Sequence, residues 1–215
     1  MKALFFTLAM FVSAGTHPKP AADSLKPLKD TLTRLRQTRL VDFKVEKKVV
    51  SELMGNEKVY QGRAYLSGSL IRFETETPEK SLVVFDGRVL WIVQYPDPVF
   101  GGKRQVLRGK VQGKQKEQIL LTELLTKGRL VESFDVTKTG EENGLFSYEA
   151  KPRDKSFDLQ KVDVQVKSGE LRTLSYVDDV GNKTTLSVTE QKLLKESRPE
   201  IFKFKPNKDD QVTDL

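Results

Sequence analysis

The stretch Ser81 to Tyr95 sets two runs of aliphatic and aromatic residues, SLVVF and RVLWIVQY, on either side of Asp86-Gly87. Leu, Val, Ile, Phe, Trp and Tyr favour the pleated backbone, and a glycine supplies the positive φ that a tight reversal needs. The stretch therefore reads as a buried β-hairpin, and it commits this region of the chain to a sheet.

The same grammar extends in both directions. Val41, Phe43 and Val45 alternate with Asp42, Lys44 and Glu46, which gives a first strand running to Val50. A turn at Met54 to Glu57, a strand over Lys58 to Leu66, a turn at Ser67-Gly68-Ser69 and a strand over Leu70 to Thr77 lead into the hairpin. In the second half, strands are expected at Phe134 to Thr139, Leu145 to Lys151, Phe157 to Val166, Leu171 to Val177 and Lys183 to Lys192. Ile201 to Pro206, IFKFKP, reads as a last short strand. Pro96 to Lys114, rich in Gly, Pro and base, reads as a loop.

Helical signals are few. Leu25, Leu28, Leu32 and Leu35 recur at helical spacing, predicting a helix to about Arg39 with Asp23 or Ser24 as its cap and Pro27 in its first turn. Ile119, Leu120, Leu121, Leu124 and Leu125 give a short middle helix over Lys116 to Leu125, and Arg129 to Ser133 a second brief one. The fold class that follows is mainly β (α+β). It is a curved antiparallel sheet, an unclosed half-barrel of about ten to eleven strands, covered by a long N-terminal helix and short middle helices. The inside of such a curl is filled either by those helices or by a ligand.

The N-terminus has its own character. Lys2, the apolar run Ala3 to Val12 and the small residues Ser13, Ala14 and Gly15 have the three parts of a secretory signal peptide over residues 1–14. Residues 15–22 then form a flexible tail, and 23–215 a single domain. The alternative of a membrane anchor suits the leader less well, because a spanning helix needs about 20 apolar residues. The chain has no cysteine, so no disulfide closes the fold and no thiol at the cleavage point can carry a lipid. Export to the periplasm without lipidation is the resulting expectation.

Net charge is +7, or +6 without Lys2, with basic and acidic residues interleaved. No basic stripe or nucleic-acid module accompanies that excess, so anionic membrane surfaces or acidic patches on protein partners are favoured over nucleic acid. His17 is the only histidine and lies in the tail, which leaves Ser-His-Asp and Cys-His catalysis and Cys/His zinc sites without their groups. Catalysis by carboxylates alone could use Asp178-Asp179, Glu141-Glu142 or Asp209-Asp210, but these pairs sit in turns, where acidic residues serve backbone geometry. Gly101-Gly102-Lys103 lacks the spacing of a phosphate loop. The reading is a non-enzyme with no cofactor and no metal.

A set of collinear segments resembles the outer-membrane lipoprotein carrier family, LolA. They are GxAYL (Gly62 to Leu66), LIRFE (Leu70 to Glu74), TPEKS (Thr77 to Ser81), FDGRVLW (Phe85 to Trp91) and the Pro96 loop, then Gln105-Val106 and the leucine-rich helix. GxLxxL (Gly169 to Leu174), DxxGNxT (Asp179 to Thr185) and the ending IFKFKP complete the series. The resemblance implies a monomeric periplasmic chaperone that holds the acyl chains of lipoproteins and carries them from the inner to the outer membrane in outer-membrane biogenesis. Its implied partners are acylated lipoproteins, an inner-membrane ATP-driven extractor and an outer-membrane receptor of similar fold. The family commonly carries Lys-Arg-Pro between the second and third strands, its arginine being linked to the helical lid; here Ser67-Gly68-Ser69 stands in that place, and neither Arg63 nor Arg72 matches it.

Alternation then names candidates. Ile71, Phe73, Leu82, Val84, Leu90 and Ile92 are candidates to line an acyl-chain cavity, and Leu28, Leu32, Leu35, Ile119, Leu120 and Leu124 are candidates for a helical lid. Each could instead be ordinary core, and the opposite face of each strand stays open. Two other functions remain: a noncarrier envelope protein of the same fold, such as a stress sensor or lipid-binding module, and a secreted carboxylate-dependent hydrolase.

Overall fold

The computed structural model describes residues 24–112, 116, 118–154 and 157–215. The leader over 1–14, the tail over 15–22 with His17, and the helix-capping role of Asp23 all fall outside the described residues.

Among the described residues a single sheet of twelve strands organises the fold. Along the chain they are β1 (Leu40–Val50), β2 (Glu57–Ser67), β3 (Leu70–Thr77), β4 (Ser81–Phe85), β5 (Leu90–Gln94) and β6 (Gln105–Gly109). The second half adds β7 (Phe134–Glu142), β8 (Leu145–Pro152), β9 (Leu159–Lys167), β10 (Glu170–Asp178), β11 (Lys183–Leu194) and β12 (Gln211–Asp214). The spatial order is β12-β6-β5-β4-β3-β2-β1-β11-β10-β9-β8-β7, so two meanders meet where β1 pairs with β11, and the outer strands β12 and β7 do not close on each other. Every pair is antiparallel except β12 with β6, which is parallel.

Local chemistry sets the reversals. At the β4–β5 turn Gly87 has φ of 92°, and the Asp86 carboxylate accepts from the amides of Arg88 and Val89 at 2.9 and 2.8 Å. On β2, Gly62 lies at a register shift against β3, where a Cβ would stand 1.9 Å from the carbonyl oxygen of Glu74. Only a residue without a side chain allows that approach.

Helix α1 (Lys26–Gln37) begins with Leu25 at its cap, a residue that offers no side-chain cap, and carries Pro in its first turn. Thr38 closes it by donating its hydroxyl to the Arg34 carbonyl at 2.7 Å. In the middle of the chain, a π-helical segment (Thr122–Thr126) follows a helical turn and gives way to the four-residue helix α2 (Arg129–Glu132).

Two sequence expectations change. The stretch read as a loop from Pro96 to Lys114 contains β6, and the expected last strand over Ile201 to Pro206 is instead a 3-10 turn (Pro199–Phe202) followed by extended chain. That segment crosses the outer face of the sheet, burying Phe202 and laying Phe204 against Trp91 at 5.3 Å between ring centroids. The true last strand is β12, joined to β6 through Gln211 N–H to the Arg104 carbonyl and Leu215 N–H to the Arg108 carbonyl, at 2.9 and 2.8 Å.

Candidate functional site

Register decides which side chains share the inner face. Directly paired residues lie on one side of a sheet, so Ala64, Phe73, Val83 and Ile92 form one row across β2 to β5, and Leu66, Ile71, Phe85 and Leu90 form the next. The rows continue through Val41 and Phe43 on β1 toward Leu186 and Val188 on β11, Leu174 and Tyr176 on β10, and Val162 and Val164 on β9. All of these side chains join one apolar cluster with the helices. A sheet that gathers residues from β5 round to β8 about the same helical leucines is strongly curled.

The structure brings Ile71, Phe73, Leu90 and Ile92 together on that inner face, along with all six residues named for the lid. Leu28, Leu32 and Leu35 of α1 are buried, as are Ile119, Leu120 and Leu124. Leu82 and Val84 are a correction. They pair with Val93 and Trp91 and sit in a second cluster with Val106, Tyr95 and Phe204, on the outer face under the C-terminal segment. Val83 and Phe85 occupy the inner positions of β4 instead.

The helices do not fill the curl completely. A cavity of about 720 Å³ remains between the middle segment and the β9–β11 side, walled by Val111, Ile119, Leu120, Phe157, Leu159, Tyr176 and Val180. Its polar edge holds Lys116, Glu123, Arg129, Asp158, Asp178, Asp179 and Asn182. Pockets of about 300 to 1,000 Å³ accept a single small ligand, so this space suits one chain-like molecule rather than several. Sequence reasoning misses most of these residues: as lid or cavity candidates it names only Ile119 and Leu120 among them, and it reads Asp178-Asp179 as a turn.

The middle segment is tied to the sheet at one informative place. Thr126 donates its hydroxyl to the carbonyl of Gly68 at 2.5 Å, and Gly68 lies in the β2–β3 turn, where the LolA resemblance expects Lys-Arg-Pro. Within the segment the Lys127 amide donates to the Thr122 carbonyl at 2.8 Å, the wide turn of a π-helix. Helix α1 is held at its two ends, by Tyr148 donating its hydroxyl to the Ser24 carbonyl at 3.2 Å and by Arg34 donating to the Gly169 carbonyl at 3.1 Å. Burial pushes the Tyr148 phenol above its ordinary value, which keeps it a donor.

Arg63 and Arg72 both lie on the outer face. Arg63 grips Asp42 through two hydrogen bonds, at 3.2 and 2.7 Å, and this pairing holds the guanidinium above its usual range. Arg72 pairs with Glu74 at 2.6 Å and donates to the Ile201 carbonyl at 3.0 Å, anchoring the C-terminal segment.

One member of each acidic pair has a structural role. Asp178 accepts from the amides of Val180 and Asn182, Glu141 pairs with Lys138, and Asp210 forms a two-bond pair with Arg104. Among the described residues no group of three or more His, Cys, Asp or Glu could hold a metal ion, and no helix is long and apolar enough to cross a membrane.

An unclosed antiparallel sheet, curled around helical elements with an apolar cavity left beside them, defines a half-barrel fold of the lipoprotein-carrier type. The chain belongs to the family of the outer membrane lipoprotein carrier protein LolA, whose family model matches residues 45–205. Among solved structures it is similar to an uncharacterized conserved protein from Thermus thermophilus, with TM-score 0.53, 13% identity, and coverage of 90% of this chain and 99% of that one. It is also similar to a LolA superfamily protein from Nitrosomonas europaea, with TM-score 0.43, 12% identity, and coverage of 84% and 97%. A third similar structure is the Mycobacterium tuberculosis lipoprotein LppX, with TM-score 0.43, 10% identity, and coverage of 79% and 94%. A comparison with curated proteins found no match.

Proposed function

We propose that the protein is a periplasmic carrier that shields the acyl chains of lipoproteins between the inner face of its sheet and its helices. In this reading it receives cargo from an inner-membrane ATP-driven extractor and delivers it to an outer-membrane receptor. The observation that carries it is the apolar inner face covered by α1 and the middle segment, with a cavity already open beside Ile119 and Leu120.

The energetics suit reversible holding. Fully burying a leucine contributes about 1.5–3 kcal/mol, so lifting Leu28, Leu32 and Leu35 with α1 alone, the middle segment staying in place, gives up about 5–9 kcal/mol. An acyl chain of roughly fourteen methylenes regains about 11 kcal/mol at about 0.8 per methylene. The surplus is about 2–6 kcal/mol per chain, a weak grip that permits release and that several chains on one lipoprotein would add to. Helices that compete for the cargo's own surface therefore set the affinity. Ile71, Phe73, Leu90 and Ile92, with Val83 and Phe85, form the sheet side of the proposed site; the leucines of α1 with Ile119, Leu120 and Leu124 form the lid.

The test is to co-express the protein with an acylated lipoprotein and with its nonacylated form. A soluble complex with the acylated form alone is expected. Equal recovery of both forms, or of neither, refutes the carrier reading. Depletion in the source cell gives a second check, since loss of a carrier strands lipoproteins in the inner membrane.

A further inference from the structure

Antiparallel hairpins alternate between the two rims of a sheet, and here the rims differ in chemistry. The β1–β2, β3–β4, β5–β6, β8–β9 and β10–β11 connections share one rim; the β2–β3, β4–β5, β7–β8 and β9–β10 turns share the other. On the first rim stand Leu53 and Met54 (88% and 73% exposed), Val99 and Phe100 (84% and 88%) and Val180 (60%). Among the described residues no large apolar side chain is exposed in the turns of the second rim, which carry Ser67-Gly68-Ser69, Asp86-Gly87-Arg88, Asn143-Gly144 and Ser168-Gly169.

The exposed residues are presented by built turns. In each, a polar side chain folds back to satisfy the backbone and leaves the apolar one facing outward. Ser51 Oγ accepts from the Met54 amide at 3.4 Å, Asp97 from the Val99 amide at 2.7 Å and Asp178 from the Val180 amide at 3.1 Å. Asn182 Oδ1 accepts from the Glu52 amide at 3.3 Å, which fixes the β1–β2 tip beside the β10–β11 tip. Val180, Asp178, Asp179 and Asn182 also line the cavity, so this rim is its mouth.

We propose that this rim docks on a lipid bilayer, with the three apolar tips inserted and the cavity mouth facing the membrane. Separate prongs spread along a rim match a fluid plane, which closes around each one; a protein partner would have to offer a pocket for every tip. Charge sharpens the choice of surface. In the described connections of this rim the acidic residues, Glu52, Asp97 and Asp179 among them, slightly outnumber Lys80, Lys103, Arg104 and Arg153, so the rim carries no basic excess and fits a zwitterionic bilayer. Attachment is thus apolar and insensitive to salt, although the whole chain is basic. The inference is separable from the carrier reading: tips that insert while no lipoprotein is solubilised keep the one and remove the other.

The chain has no cysteine, so single labelling sites are clean. Met54→Cys, Phe100→Cys and, on the opposite rim, Arg88→Cys are labelled with a polarity-sensitive dye and mixed with phosphatidylcholine vesicles containing brominated lipid. A blue shift with bromine quenching is expected at 54 and 100 and not at 88, unchanged between about 0.05 and 0.5 M salt. Leu53→Ser, Met54→Ser, Val99→Ser and Phe100→Ser combined should weaken vesicle partitioning at least about tenfold while thermal unfolding stays unchanged. All variants share one N-terminus, so their differences report the tips alone. No response at 54 and 100, an equal response at 88, loss of binding in salt, or undiminished partitioning of the combined variant overturns the proposal.

Discussion

Replacing Thr126 by valine removes the hydroxyl that ties the middle helical segment to the β2–β3 turn and keeps a β-branched side chain in its place. The hydroxyl has one proton and two carbonyls in reach, Gly68 at 2.5 Å and Thr122 at 3.1 Å, and the shorter contact is the link to the sheet. A hydrogen bond of this kind contributes about 0.5–1.5 kcal/mol net, rising toward about 3 when the abandoned partner stays buried. Gly68 lies at an exposed turn, so water replaces the lost donor and about 1 kcal/mol is the appropriate figure. That shifts the closed-to-open ratio of the segment about fivefold. If the segment is a lid that must lift before an acyl chain enters, the apparent affinity rises by the same factor, because the open fraction multiplies the intrinsic association constant. Titration with a fluorescent fatty acyl probe reads the affinity, and hydrogen exchange over 118–126 reads the opening. Thr126→Ser, which keeps the hydroxyl, should behave as the parent. Faster exchange in Thr126→Val with an affinity unchanged within about twofold would show that the segment opens without gating the site, and the lid argument would fail.

Other perturbations separate fold from function. Gly62→Ala forces a methyl group into the Glu74 carbonyl and should lower stability by about 3 kcal/mol or more, seen as a fall in denaturation midpoint. Val84→Ala, on the outer face, should cost about 1–2 kcal/mol of stability with no change in acyl-probe affinity, while Phe73→Ala on the inner face should alter that affinity. The C-terminal strand should loosen in acid. Hydrogen bonds from Arg104 and Arg108 depress the Asp210 and Asp214 carboxyls. Their stabilisation is therefore complete above the unfolded value of about 4 and is lost as pH falls through the lower folded values. Exchange of the 211–215 amides should accelerate there, well before global unfolding.

Much of the sheet is legible because its turns carry strong chemistry. Asp86-Gly87, Ser168-Gly169 and Asp178 to Asn182 each mark a reversal that the backbone makes, and the alternation in β1 identifies its buried face. The face of β4 is not legible. Leu82, Val83 and Val84 are all aliphatic and all buried, because the C-terminal segment covers the outer side as fully as the helices cover the inner one. A strand covered on both faces has no polar phase to read. The last strand eluded the sequence for the opposite reason: Gln211 to Asp214 is exposed throughout, so pairing alone, with its flanking Arg104–Asp210 and Arg108–Asp214 contacts, makes it a strand. IFKFKP alternates as a strand would, yet Phe204 packs into the outer cluster from above and Phe202 is buried. The cavity escaped because its wall is assembled from Val111, Phe157 and Tyr176, residues on separate elements with no shared period.

The two-sided cover on β4 and β5 also bears on the opening proposed for the inner face. Leu82, Val84, Val93 and Val106 pack with Trp91, Tyr95 and Phe204 in a cluster that shares no side chain with the helices. Arg72, reaching the Ile201 carbonyl, and Arg104, held by Asp210, fasten the C-terminal segment over that cluster from either side. In the proposed carrier, lifting α1 or the middle segment would expose the inner rows and leave this outer cluster intact, so the sheet would keep its register while its inner face exchanged helix for cargo. Cutting the outer fastening should therefore act on stability alone. Arg72→Ala is expected to lower the unfolding midpoint while leaving the acyl-probe affinity of the remaining folded protein unchanged. A variant that keeps its midpoint yet loses affinity would instead place the C-terminal segment in the cargo site.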